Sequence, residues 1–125
     1  MSATQTLHLL IRNEWWLSAN GRYHWAVKAK YTRALRRLAA AQARRQGLTP
    51  ISGPVLVTAE IGYRSGRADP ANTYPTIKPL IDGLVDAGIL ADDDSAHVVG
   101  PDMRRAAETP PQGFHTVTLT LEELS

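Results

Sequence analysis

The stretch GRADPANTYPTIKPLIDGLVDAGILADDDSAHVVG, residues 66–100, decides how this chain is read. Within it Ile77, Ile81, Leu84 and Val85 recur at the spacing of one helix face, and Gly88 stands where a left-handed helix stop belongs. Pro79 fits such a helix if Thr76 is the cap. The proline then takes the third helical position, where the N–H it lacks has no partner in any case. Ahead of this helix, YRSGRADPANTYP reads as a loop. Behind it come Asp92, Asp93 and Asp94, then a short strand candidate at 97–100 and a proline-rich loop at 101–113.

Outward from this stretch the pattern alternates between the two periods. Residues 6–12 (TLHLLIR) and 55–61 (VLVTAEI) read as strands, and HTVTLTL at 115–121 alternates cleanly as a closing strand. Between the first two lies a polar and aromatic loop with an Asn20-Gly21 turn signal. A helix follows at 25–45, with Val27, Tyr31, Ala34, Leu35 and Leu38 on one stripe and Lys30, Arg33, Arg37 and Arg44 on another. The order is β-α-β-α-β-β without internal repeat, which predicts one α+β domain over 1–125 with two main helices packed on a mixed sheet.

A chain of 125 residues has room for one domain of this kind and not for two. Hydrophobic residues at 43% and charged ones at 21% exclude a disordered tail. Cysteine is absent, so disulfides, thiol nucleophiles and cysteine-ligated metals are excluded, and any metal must be held by oxygen or histidine. No apolar run suggests a membrane span or a secretory signal, and the expectation is a cytoplasmic protein. Charge is unevenly spread: residues 1–67 hold eleven Lys and Arg against two Glu, whereas residues 68–125 hold three against ten acids. Such a division fits either a surface for a polyanion beside a separate carboxylate cluster, or two halves that neutralise each other across a fold or dimer interface.

Several groups could carry chemistry. Asp69, Asp82, Asp86 and the Asp92–Asp94 triplet fit either a solvated acidic turn or a site for a hard cation such as Mg²⁺, which takes carboxylate oxygens and leaves room for phosphate. Lys78 precedes Asp82 by four residues, which suits a surface ion pair or a cation placed to stabilise charge on a phosphate. The aromatic run of Trp15, Trp16, Tyr23, His24 and Trp25 suits core or dimer packing, or stacking on exposed bases. His8, His24, His97 and His115 show no ligand spacing, and no zinc site is assigned. Phosphate-cradling glycine loops and serine nucleophile elbows are absent.

Residues 66–100 resemble the core of RusA-type Holliday-junction resolvases, especially actinobacterial and phage versions. In that family an R-x-D-x-D-N loop leads to a Lys, then D-x-L, A-G and a D-D pair. NGRYHWAVKAKYTRALRRLA resembles its opening helix region, and HTVTLTL its last strand. The resemblance implies a small α+β homodimer that binds four-way or otherwise branched DNA and cuts it with Mg²⁺. Carried over by position, the family's first Asp falls on Asp69, its Asn on Asn72, its Lys on Lys78, the helix Asp on Asp82 and the later pair on Asp92 and Asp93. The family's second Asp is Ala71 here, which removes up to two oxygen ligands.

On this reading Asp69, Lys78 and Asp93 are catalytic, and Asp69, Asp92 and Asp93 hold the metal. Arg22, Lys28, Lys30, Arg33, Arg37, Arg67 and Asn72 then contact DNA. Two alternatives stand beside it. One is a branched-DNA-binding protein of the same fold without cleavage; the other is a dimer that binds no nucleic acid and pairs its basic and acidic halves.

Overall fold

The structure, a computed structural model, describes residues 3–64 and 69–124. Strand β1 (Thr4–Arg12) is followed by helix α1 (Trp25–Arg45), strand β2 (Val55–Gly62), helix α2 (Tyr74–Asp86), strand β3 (Val98–Arg105) and strand β4 (Phe114–Glu123). One four-stranded sheet results, in the order β1-β4-β2-β3. β4 runs antiparallel to both β1 and β2, while β3 joins β2 in parallel at the edge. The α+β class, the mixed sheet and the element order agree with the sequence reading. Among the described residues no helix is long and apolar enough to cross a membrane.

Alternation puts one face of the sheet into the core. Leu7, Leu9 and Ile11 of β1, Val55, Val57, Ala59 and Ile61 of β2, and Val117, Leu119 and Leu121 of β4 are all buried. They form one cluster with Leu35, Ala39 and Ala43 of α1 and Ile77, Leu80, Ile81 and Leu84 of α2. Each fully buried side chain of this kind contributes about 1.5–3 kcal/mol, so the packing of both helices on this face carries most of the fold. The expected stripe of α1 is shifted by the real packing. Tyr31 and Leu38 rest against the core, but Val27 is 42% exposed because the first turn of α1 runs clear of it.

The two helices meet without slack. A methyl group built on Gly83 would lie 2.3 Å from the Arg36 carbonyl oxygen and 2.9 Å from the Ala39 side chain. Small residues on both sides thus let the backbones approach closely. One helical turn away, the Arg36 guanidinium grips the Asp86 carboxylate through two nitrogens, with Nη2 donating to Oδ1 at 2.8 Å.

Two elements differ from expectation. Helix α2 starts at Tyr74 after a 3₁₀ turn at Pro70–Thr73, so Thr76 is not its cap and Pro79 is the sixth helical residue. The Asp69 side chain accepts from the Ala71 N–H at 3.0 Å and begins the winding there, three residues before the helix proper. Thr76 is buried instead in the first turn. Its hydroxyl accepts from the Leu17 N–H at 2.8 Å and donates to the Leu17 carbonyl at 2.7 Å, tying the aromatic loop to α2.

Strand β3 does not stop at Gly100 but continues through Pro101 to Arg105, in what reads as loop. The pairing with β2 slips by one residue between Leu56 and Thr58, so the extra residue forms a bulge at the Gly100-Pro101 step. An edge strand tolerates a proline that cannot donate. Gly100 has φ +97°, and a Cβ there would press on the Asp102 N–H and the Val57 carbonyl at under 3 Å.

Two substitutions test this packing by urea unfolding. In an ordinary helix Gly→Ala stabilises by up to ~1 kcal/mol; Gly83→Ala is expected to destabilise by about 1–3 kcal/mol, because the methyl has no space. Thr76→Val is expected to cost about 1–3 kcal/mol by stranding the buried Leu17 amide, and Thr76→Ser to restore most of the loss.

Candidate functional site

Lys78 is the centre of the acidic end of the molecule. Its half-buried ammonium, on the second turn of α2, is held by the Asp82 carboxylate one turn further on and by Asp93 Oδ2 at 2.5 Å from the following loop. Burial pulls the ammonium down, but the two hydrogen bonds and the charges of Asp82 and Asp93 outweigh it and hold it above its ordinary value. Asp93 responds in the opposite sense: the hydrogen bond from Lys78, followed by interaction with Asp92, lowers it to about 2. Tyr74, Lys78, Asp93 and Pro101 line a shallow recess of about 170 Å³.

The aspartate triplet does not crowd three bare charges together. Asp92 Oδ1 accepts from the Asp93 N–H at 2.7 Å. Asp94 accepts from the N–H groups of Ala96 and His97 and, at 2.7 Å, from His97 Nδ1. The His97 ring is the largest influence holding Asp94 below the usual carboxylate range. Ligand atoms of Asp92, Asp94 and His97 all lie within 4.8 Å of one another, a group that could hold a metal ion.

Ligands about 2.1 Å from an octahedral Mg²⁺ are about 3.0 Å apart when adjacent and about 4.2 Å when opposite, the same range of spacing. Two carboxylates and an imidazole also suit Mn²⁺. Sequence reasoning names Asp94 only as one of the aspartate triplet and gives His97 no part in a cation site. Their signal was the Asp-x-x-His spacing, overlooked because the histidines were compared only with each other.

The structure does not bring the expected metal set of Asp69, Asp92 and Asp93 together as one group among the described residues. Among the described residues no close group of three ligands contains Asp69 or Asp93. Asp93 is engaged by Lys78, and Asp69 caps its own turn at Ala71. Asp69 belongs to a second recess, of about 240 Å³, with Trp16, Ser18, Tyr63, Asn72 and Thr73. The two recesses flank consecutive residues, Thr73 lining one and Tyr74 the other. Asp82 joins Lys78 as the spacing suggests, whereas Asp86 serves the helix contact with Arg36, whose hydrogen bond lowers its pKa.

An aromatic wall backs the Asp69 recess. Trp16 stacks on His115 with ring centres 4.0 Å apart and planes 6° from parallel, and Tyr63 meets both rings edge-on. Burial lowers the His115 pKa, and its Nδ1 lies 2.7 Å from Asn13 Oδ1. Desolvation raises the buried Tyr63 phenol, whose hydroxyl has no hydrogen-bond partner among the described residues. The aromatic run therefore divides. Trp15 and Trp16 pack against the core, whereas Tyr23, His24 and Trp25 face solvent.

Of the expected DNA contacts, Arg22, Lys28, Lys30, Arg33 and Arg37 are all exposed, and Asn72 is half-buried in the Asp69 recess. Arg67 lies outside the described residues. A cavity of about 540 Å³ lies between the other face of the sheet and residues 106–111, and none of the expected site residues lines it. In comparisons with known proteins the chain matches no family model and no curated protein.

The lowered Asp93 fixes a pH window. A carboxylate whose folded pKa is depressed stabilises fully above its unfolded value near 4 and loses that contribution as pH falls through its folded value. Wild-type protein is therefore expected to melt above Asp93→Asn at pH 7, with the two melting temperatures converging between about pH 4 and pH 2. A constant difference down to pH 2 contradicts the Lys78–Asp93 pair.

Proposed function

We propose that the protein is a divalent-cation-dependent endodeoxyribonuclease of the RusA type, acting on four-way or otherwise branched DNA as a homodimer. The observation that carries this reading is the ammonium of Lys78, held between Asp82 and Asp93 immediately beside the Asp92, Asp94 and His97 group. A cation-holding cluster and a cation able to face a phosphate thus share one end of the fold. The resemblance of residues 66–100 to RusA-type resolvases supports the same reading, as do the exposed cations of α1.

A Mg²⁺ or Mn²⁺ ion bound at the acidic turn would supply neutralisation of phosphate charge. Asp92, Asp94 and His97 are the residues to hold it. Lys78 donates to a phosphate oxygen as negative charge builds there during hydrolysis, an electrostatic role typically worth 10²–10³ in rate. Asp82 and Asp93 orient the ammonium in the free protein. Asp69 stands one recess along, on the far side of the first turn of α2, where it faces the adjoining stretch of backbone. Arg22, Lys28, Lys30, Arg33 and Arg37 hold phosphates without reading sequence, which makes binding steeply salt-dependent. A two-fold dimer matches the two symmetry-related strands of a four-way junction.

A second reading, binding of branched DNA without cleavage, is favoured by one observation: Ala71 offers no carboxylate, and Asp69 is outside the close ligand group. One experiment separates the two. Purified protein with a synthetic four-way junction and Mg²⁺ or Mn²⁺ is expected to give paired nicks on a denaturing gel. A shifted but uncut complex supports the second reading, and no complex at all sinks both. Lys78→Ala is expected to slow cleavage by about 10²-fold with junction affinity changed little.

A further inference from the structure

We propose that the exposed N-terminal end of α1, led by Trp25 and supported by Tyr23, is a stacking platform for an unpaired base of branched or single-stranded DNA. The inference rests on the DNA reading above and adds a feature that cleavage chemistry does not require. Residues 21–28 are all exposed, and α1 buries no side chain completely until Leu35. Trp25 is 77% exposed and Tyr23 37%. A tryptophan left so bare takes no part in the core, and most of its indole is apolar area open to water.

The rings are held rather than loose. Tyr23 Oη accepts from the Ser18 N–H at 3.0 Å, and the ring lies so close over Gly21 that a Cβ there would overlap it. His24 caps the helix through Nδ1, which accepts from the Ala26 N–H at 3.2 Å. Its ring stacks on Trp25 with centres 5.7 Å apart and planes 30° from parallel. A fixed aromatic surface loses little freedom when a flat ligand lands on it.

Charge selects the occupant. Between Glu14 and Glu60 the sequence has no acidic residue but eight Lys and Arg, with Arg22 and Lys28 on either side of the aromatic pair. Among the described residues Arg36 is the one cation of α1 in an ion pair. A second copy of the same face would bring like charges together across a two-fold axis. A polyanion with flat apolar groups does the opposite, and DNA exposes such groups where strands part. Base stacking tolerates any sequence, since every base has a face.

The test measures binding of full-length protein, in EDTA to prevent cleavage, to a fluorescein-labelled four-way junction, a single strand and a linear duplex. Trp25→Ala is expected to weaken junction and single-strand binding about tenfold and duplex binding less than about twofold, with Trp25→Phe recovering most of the loss. Arg33→Gln is expected to weaken all three alike, because it removes only a phosphate contact. Equal loss on all three substrates with Trp25→Ala, or no loss on any, overturns the platform. So does concentration-dependent shielding of Trp25 fluorescence without DNA, which marks the face as a contact between copies. Wild-type protein that binds none of the three overturns the DNA reading as well; wild-type binding that Trp25→Ala leaves intact overturns the platform alone.

Discussion

Where α2 crosses α1 there is no room for a side chain at Gly83, and the positions of the molecule's chemically interesting groups follow from that contact. With the Gly83 backbone against the Arg36 carbonyl and the Arg36–Asp86 pair one turn away, α2 cannot slide or roll on α1. Its N-terminal half is therefore set, and with it Lys78, Asp82 and the buried Thr76. Through Thr76 the constraint passes to Leu17 and the aromatic loop, and through the Ser18 N–H to Tyr23. One glycine thus links the acidic end of the fold to the exposed start of α1. Burial of the apolar face supplies the stability, and the close contact supplies the registration.

Regular elements were legible because their signals are periodic and local. The bounds of α1 follow from its apolar spacing and Gly47, and β4 from its alternation. What escaped had been written in residues with two meanings. Pro79 argues for a helix starting just before it, yet the turn is already wound at Asp69, where a side chain and not a periodicity begins it. Gly100 and Pro101 read as loop punctuation, yet on an edge strand beside a bulge they continue the sheet. In each case a pairing partner distant in sequence decides the outcome.

The site was legible as composition and only in part as geometry. Lys78 meets Asp82 as the spacing suggests, whereas Asp69 lies in a separate recess and Asp86 on the α1 contact. That Lys78 also reaches Asp93, fifteen residues on, depends on the path of the chain after α2 and leaves no local mark. Asp69 and the triplet looked equivalent as carboxylates but differ in what already binds them. Trp25 and Trp16 are likewise the same residue type in one loop region, separated by whether the core reaches them.

Partners, more than positions, define what the acidic turn can do. Each of the three adjacent aspartates has its own donor: Asp92 the Asp93 N–H, Asp93 the Lys78 ammonium, Asp94 the His97 ring and two N–H groups. Between residues 68 and 103 Lys78 is the one Lys or Arg beside seven aspartates, so it answers only part of the local negative charge. On the nuclease reading, a divalent cation held by Asp92, Asp94 and His97 would lower the negative potential that keeps the ammonium on the neighbouring Asp82 and Asp93. Cation binding and release of Lys78 toward a phosphate are then two sides of one equilibrium, and each must favour the other by the same factor.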